Sequence, residues 1–390
     1  MRERTLEPII TQDLDEKMVL LGGPRQVGKT TLAKRLGARC FTCPHSLTWD
    51  SRPDRAAIRA GRFQARADLL ILDELHKARN WKSLLKGLYD TRKPDMRFLV
   101  TGSARLAVFR KGGDSLQGRY HYHVLHPFTV GELTGQPPVV DPRRPLAIPA
   151  TAGASREAFA VLRQYGGFPE PMVRQSERAL RRWHQERVER VVREDVRDLS
   201  NIRDLAAIEH LVDLLPSRVG SLLSLNSLRE DLEVAHKSVA AWIETLESLY
   251  YLYRIRPFTG PRIRSLKKEA KAYLWDWSEV EAPAARLENL VAGHLAKLVD
   301  HCRNIEGFRA DLHYLRDVDG REVDFLVTIA RRPWFAVEVK TSPRSAKNLR
   351  YFQERLNIPE VFLLADEPGL DIDDHGIRNL DIPTFLAALP

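Results

Sequence analysis

The sequence predicts an α/β fold: a parallel sheet carrying a phosphate-binding loop, then helical segments, then a second, smaller α/β region. Two features predict the first sheet. Residues Gly23 to Thr30 read Gly-Pro-Arg-Gln-Val-Gly-Lys-Thr directly after the apolar run Met18-Val19-Leu20-Leu21, which is a strand, loop and helix order. Leu69-Leu70-Ile71-Leu72 is an aliphatic run closed by Asp73 and Glu74, the pattern of a parallel strand buried on both faces. A third feature predicts the second region: the apolar runs around Val323-Asp324-Phe325 and Val337-Glu338-Val339 are separated by a short Arg-Arg-Pro turn.

The loop residues Gly23, Pro24, Arg25, Gln26, Val27, Gly28, Lys29, Thr30 and Thr31 are expected to wrap a nucleotide. Gly23 and Gly28 let the backbone turn so that successive N–H groups face the β-phosphate, and the helix opening at Lys29 adds its positive end. Lys29 would bridge β- and γ-phosphate oxygens, and the Thr30 hydroxyl would hold Mg²⁺. Leu32, Ala33 and Leu36 share one face of that helix. At the tip of the second strand, Asp73 would hold Mg²⁺ through water and Glu74 would polarise the attacking water; a buried strand with a solvated acidic turn is the plainer alternative. The run Arg97 to Ser103 is a third strand meeting the same crevice, where Thr101 or Ser103 could sense the γ-phosphate. Arg119, in the turn before the strand His121 to Leu125, is either an arginine finger or half of a structural ion pair.

At 390 residues the chain is long enough for two or three domains. No run approaches the ~20 apolar residues of a membrane span, and Met-Arg-Glu-Arg-Thr-Leu-Glu lacks a signal-peptide core, so a cytoplasmic protein is expected. Cys40 and Cys43 stand beside His45, but a structural zinc site needs a fourth ligand, so reduced thiols are the reading. Net charge is +9, which permits nucleic-acid binding without requiring it.

Composition shifts divide the chain into residues 1–135, the nucleotide core; 136–205, a Pro- and Arg-rich linker and helical, lid-like region; 206–270; and 271–390. The helix from Glu177 is Arg-rich but carries Glu186–Arg190 and Glu189–Arg193 pairs, the mark of a solvated face. In 206–270, Val239, Trp242, Ile243, Leu246 and Leu249 recur at helical spacing after a short helix and turn, and Tyr251 to Arg256 reads as a strand. This is the layout of a winged helix, with His236, Lys237 and Ser238 opening its second helix and Arg254, Arg256, Arg262, Arg264, Lys267, Lys268 and Lys271 on a basic wing. DNA or a protein partner could dock there.

In 271–390, strand alternation puts Glu338 and Lys340 on one face. If the hairpin sets Asp324 alongside, two carboxylates and an ammonium converge, a group able to hold Mg²⁺ against a phosphodiester. Glu288, on the amphipathic helix from Ala284 to Val299, could add a third carboxylate. This Asp, spacer, Glu-x-Lys order resembles the active site of the PD-(D/E)xK nuclease superfamily, whether catalytic or kept only as a scaffold.

Taken together, Gly-Pro-Arg-Gln-Val-Gly-Lys-Thr, Leu-Asp-Glu-Leu-His-Lys, Thr-Gly-Ser, Gly-Arg-Tyr, Tyr-Gly-Gly-Phe-Pro-Glu and Glu-Val-Asp-Phe with Glu-Val-Lys resemble the AAA-superfamily ATPases of bacteria and archaea that carry a C-terminal domain of unknown function 4143. The resemblance implies an additional-strand P-loop sheet, with the Thr101 strand between the P-loop strand and the Asp73 strand, followed by a winged helix and a nuclease-like domain. It implies ATP and Mg²⁺ as ligands, and marks Trp49-Asp50 and Trp81 as recurring positions. Thr-Gly-Ser-Ala lacks a second Ser common in relatives, which favours Ser103 as the sensor. Two functions follow: an ATPase coupled to DNA handling, with Asp324, Glu338 and Lys340 cutting or gripping the backbone, or a nucleotide-operated switch whose terminal domain is scaffold. A homo-oligomer is required if Arg119 acts in trans.

Overall fold

The computed structural model describes residues 3–103, 116–135, 140–150, 153–196, 204–260, 269–341 and 346–390, with the side chains of 193–195 excepted. The chain forms two compact units, residues 1–126 with 248–250, and residues 127–247 with 251–390.

The first unit is built on five parallel strands, β1 (Met18–Gly22), β2 (Pro44–Thr48), β3 (Leu69–Asp73), β4 (Arg97–Thr101) and β5 (Tyr120–Val124), in the order β2-β3-β4-β1-β5. β4 therefore lies between the P-loop strand and the Asp73 strand, as the resemblance implies. β1, β3 and most of β4 are buried because their aliphatic side chains are covered on both faces. Leu20, Leu70, Leu72, Phe98 and Val100 form one core with Trp49, Trp81 and Leu85, and each such buried side chain contributes ~1.5–3 kcal/mol. Trp49 and Trp81 are thus packing residues. The helix Lys29–Cys40 buries Leu32, Ala33 and Leu36, as their spacing predicts. It also buries Gly37, where an added Cβ would lie 3.1 Å from Pro44 and 3.2 Å from Ile71.

The second unit carries a mixed eight-stranded sheet in the order β12-β13-β11-β10-β9-β8-β6-β7. Its strands are β6 (Leu252–Pro257), β7 (Lys271–Leu274), β8 (Ala310–Arg316), β9 (Glu322–Ile329), β10 (Arg332–Lys340), β11 (Glu360–Ala365), β12 (Asp371–Asp374) and β13 (Ile377–Asp381). The β9/β10 hairpin turns at Ala330 and Arg331, both at positive φ, which matches a two-residue loop to the strand twist. The helix Pro283–Asn304 packs on β7 through β10, burying Leu287, Leu290, Val291, Leu295 and Leu298. The Lys347–Leu356 helix packs on β9, β10 and β11 through Leu349 and Phe352. At the edge, all four residues of β12 are exposed, Ile372 by 59%.

Helices Leu225–Asp231 and His236–Ser248 occupy the expected helix-turn-helix positions, and Val239, Trp242, Ile243 and Leu246 are buried. The strand after them does not end a separate module. β6 pairs antiparallel with β7 and parallel with β8, so the sheet runs across residue 270. The Glu177–Glu189 helix is only partly a solvated face. Glu186 and Arg190 pair at 3.1 Å, but Trp183 and Arg187 are buried, with Arg187 3.5 Å from Asp276 and 3.4 Å from Glu279. The Arg193 side chain lies outside the described ones.

Candidate nucleotide site and carboxylate centre

The P-loop joins the C-terminal end of β1 to the Lys29–Cys40 helix. Gly28, at φ 102°, opens that helix, and its carbonyl accepts from Leu32 N at 2.9 Å. Gly23 has φ 133°, and a Cβ there would stand 2.6 Å from the Leu125 carbonyl oxygen, so only glycine fits. Gln26 also takes a left-handed φ of 60° at the loop tip. Pro24 and Val27 are buried, Arg25 is half-buried and Thr31 is exposed. Lys29 Nζ donates to the carbonyls of Gly23 at 2.9 Å and Pro24 at 2.6 Å, holding the ammonium within the loop's curve.

Across the crevice, Asp73 ends β3 in register with Thr101 of β4. Its carboxylate accepts from Thr30 Oγ1 at 2.9 Å and from Thr101 Oγ1. The hydroxyl and carboxylate expected to hold Mg²⁺ thus lie side by side, and both are hard oxygen donors. Glu74 follows at φ 55°, its N–H bonded to the Thr101 carbonyl at 3.0 Å. Burial pushes the Glu74 carboxyl above its ordinary value, against the pull of Lys29 and Lys77. A raised pKa makes this carboxylate the stronger proton acceptor.

Two residues without a sequence-based role join this site. His76 Nε2 lies 3.5 Å from Glu74 Oε2 and 3.4 Å from Ser103 Oγ, linking the candidate base to the candidate sensor. Lys77 Nζ pairs with both oxygens of Asp50 at 2.7 Å and approaches Glu74 at 3.7 Å, which gives Asp50 its role. Leu-Asp-Glu-Leu-His-Lys contained both signals, but the one-turn 3-10 helix Leu75–Lys77 that folds them back is not legible in so short a run.

Arg119 stands elsewhere. Its carbonyl accepts from Met18 N at 3.2 Å, which places it level with the start of β1, a strand length of roughly 16 Å from the P-loop. Its guanidinium binds Asp90 at 2.9 and 3.3 Å. The arginine does not reach its own chain's nucleotide site.

In the second unit the predicted residues do converge. Val337 pairs with Phe325, and the Val339 N–H donates to Asp324 Oδ2 at 2.8 Å, so Asp324 lies alongside Glu338. Lys340 Nζ binds Glu338 Oε1 at 2.8 Å. Glu288 accepts from Tyr273 OH at 2.8 Å. Burial raises the carboxyls of Asp324, Glu338 and Glu288.

Lys271, expected on the basic wing, is instead 2% exposed within this centre. Its ammonium lies 2.7 Å from Glu322, 3.3 Å from Glu288 and 3.8 Å from Asp324. Burial alone would lower its pKa, but these carboxylates outweigh it and hold the ammonium above the ordinary lysine value. Among the described residues no three His, Cys, Asp or Glu side chains are grouped to hold a metal ion, at Glu288, Asp324 and Glu338 or at the cysteines. The rest of the wing is reduced too: Arg254 pairs with Glu247 at 2.6 Å, Arg256 is exposed, and Arg262, Arg264, Lys267 and Lys268 lie outside the described residues. His236 and Lys237 are exposed. No helix among the described residues is long and apolar enough to cross a membrane.

Three family models match successive parts of the chain: an AAA domain at residues 15–134, domain of unknown function 8612 at 156–282 and domain of unknown function 4143 at 285–383. An uncharacterized protein of Mycobacterium tuberculosis is 22% identical over 344 residues, covering 85% of this chain and 73% of its own. One of Methanocaldococcus jannaschii is 24% identical over 398 residues, covering 90% and 81%. Among solved structures, the Thermotoga maritima RuvB Holliday junction branch migration motor aligns over 64% of this chain and 87% of that chain, at 18% identity and TM-score 0.31.

Proposed function

Because the chain carries an AAA-type P-loop ATPase domain at its N-terminus and a domain of unknown function 4143 at its C-terminus, we propose that it hydrolyses ATP in the first unit and uses the nucleotide state to govern the second. The observation that carries this is the 2.9 Å bond between Thr30 and Asp73, which joins loop and strand at the point where the reaction needs a cation. Thr30 and Asp73 would hold Mg²⁺, and the ion when bound would offset phosphate charge. Lys29 would leave its two loop carbonyls to bind the β- and γ-phosphates. Glu74 would accept the proton of the attacking water, with Ser103 sensing the γ-phosphate and His76 fixing both. Arg119 would act only in trans, on the site of a neighbouring copy, which makes the active species a homo-oligomer.

The second unit would be the output, binding DNA through the exposed start of the His236–Ser248 helix and Arg256. A nucleotide-operated switch with a silent nuclease-like scaffold is the second reading. The buried Lys271 ammonium among its carboxylates favours it over a cutting role. The test of the ATP assignment is melting with Mg-ATP. A ligand at 100 times its Kd adds ~2.7 kcal/mol, so wild type should melt higher with ATP and Lys29→Ala should not. An equal shift in the variant would sink the assignment. For the output, fluorescence anisotropy of labelled duplex with and without ATP should show salt-dependent, nucleotide-dependent binding.

A further inference from the structure

We propose that Lys271 is a resident cation: its ammonium occupies the position a divalent ion would take among Glu288, Glu322 and Asp324, and closes the nuclease-like centre to Mg²⁺. The inference rests on reading the second unit as nuclease-like and is independent of ATP hydrolysis in the first. A divalent ion at such a centre requires oxygen ligands at about 2.0–2.1 Å, several of them carboxylates. Here each candidate carboxylate is already claimed. Glu322 Oε1 and Glu288 Oε1 face Lys271 at 2.7 and 3.3 Å, Glu288 Oε1 also accepts from Tyr273, Asp324 Oδ2 accepts from Val339 N, and Glu338 Oε1 is held by Lys340. Glu338 Oε2 is buried without a hydrogen-bond partner, and Asp324 Oδ1 faces the ammonium at 3.8 Å, so an ion could gather several oxygens only by displacing Lys271.

The lysine has no alternative place. It opens β7 on the same face as Tyr273, its ammonium lies 5.7 Å from the centre of the Tyr314 ring, and 2% of it is exposed. An ion arriving beside it would meet like charge at close range, and an ion replacing it would strand the ammonium in the interior without a counter-charge. One buried ammonium therefore does structurally what a metal would do, and it supplies no activated water. Lys340, the lysine of the Glu-x-Lys order, is a separate residue engaged with Glu338.

Mn²⁺ binding to the full, nucleotide-free chain tests this, with free Mn²⁺ read by electron paramagnetic resonance. Wild type and Asp324→Asn should bind the same number of ions. Lys271→Met should gain one ion per chain, lose it again in Lys271→Met/Asp324→Asn, and melt higher when Mn²⁺ is added. An ion held by wild type and lost in Asp324→Asn would overturn the proposal, as would folded Lys271→Met that takes up no further ion. Should Lys271→Met fail to fold, the wild-type and Asp324→Asn pair decides by itself. The ion counts are read without nucleotide and the ATP assignment by nucleotide-dependent melting, so failure here and failure of the ATP assignment are read separately.

Discussion

The two units bring together the same chemical groups, a lysine and several carboxylates, and arrange them oppositely. In the first unit Lys29 rests on backbone carbonyls and Asp73 is met by two neutral hydroxyls, Thr30 and Thr101. In the second, Lys271 and Lys340 are paired directly with carboxylates. A hydroxyl beside a carboxylate adds a further oxygen ligand for a cation, whereas a buried ammonium neutralises the carboxylate in advance. The difference teaches that carboxylate spacing alone does not make a metal site. What stands between the carboxylates decides it.

The comparison breaks first at Glu74. Glu74→Gln keeps the loop and Asp73 intact, so it should lower ATP turnover by about 10²–10⁴-fold while preserving the ATP-dependent melting shift. Steady-state hydrolysis and melting measured together check this, and loss of both would place Glu74 in binding instead. Next is Lys271→Met. Removing one partner of a buried ion cluster costs about 3–5 kcal/mol, so denaturant unfolding followed in metal-free buffer should show a large loss, and Glu288→Gln added to it should recover part. A loss near zero would mean that the cluster is not electrostatically closed.

How much of this was legible in the residues differs between the units for the same physical reason. Gly-Pro-Arg-Gln-Val-Gly-Lys-Thr is contiguous, so one stretch of chain contained the loop, its left-handed glycines and the start of its helix. The position of β4 beside β1 came with the family resemblance and matches the observed order. Alternation along β10 put Glu338 and Lys340 together, and the hairpin brought in Asp324. Lys271 was illegible because its partners come from β9 and a distant helix, and a lysine in a basic run reads as solvated until the sheet closes over it. Arg119 was ambiguous until strand register showed which end of β1 it accompanies.

A pH measurement sharpens the picture of buried charge in the second unit. Burial pushes Glu279 from the ordinary carboxylate value of 4.5 up to about 7, outweighing the attraction of Arg187. The unfolded chain therefore releases this proton first as pH rises. Glu279's contribution to stability should fall between about pH 4.5 and 7 and level off above, by no more than about 3 kcal/mol. Unfolding curves across that range should be flatter for Glu279→Gln; an unchanged slope would assign the dependence to other groups. The smallest expected effect is at Asp90. Its bond to Arg119 is at the surface, so Asp90→Ala should leave melting nearly unchanged. Arg119→Ala, by contrast, should slow hydrolysis in concentrated protein without altering ATP binding, which a titration of turnover against protein concentration would read.

The outermost strand of the eight-stranded sheet has a consequence for crowding. β12 reads Asp-Ile-Asp-Asp with all four residues exposed, and it borders β13 on one side only. Its free backbone edge is where a strand from another molecule could add on and begin a continuous ribbon of sheet. Asp371, Asp373 and Asp374 line this edge, Asp371 paired with Arg378 at 2.8 Å and Asp374 bonded to His375 at 2.7 Å, so an incoming strand would meet a border already occupied by charged side chains. Ile372 is thereby exposed on a border flanked by charge, and Arg350 of the Lys347–Leu356 helix reaches one end of it at the Asp374 carbonyl, 3.4 Å away.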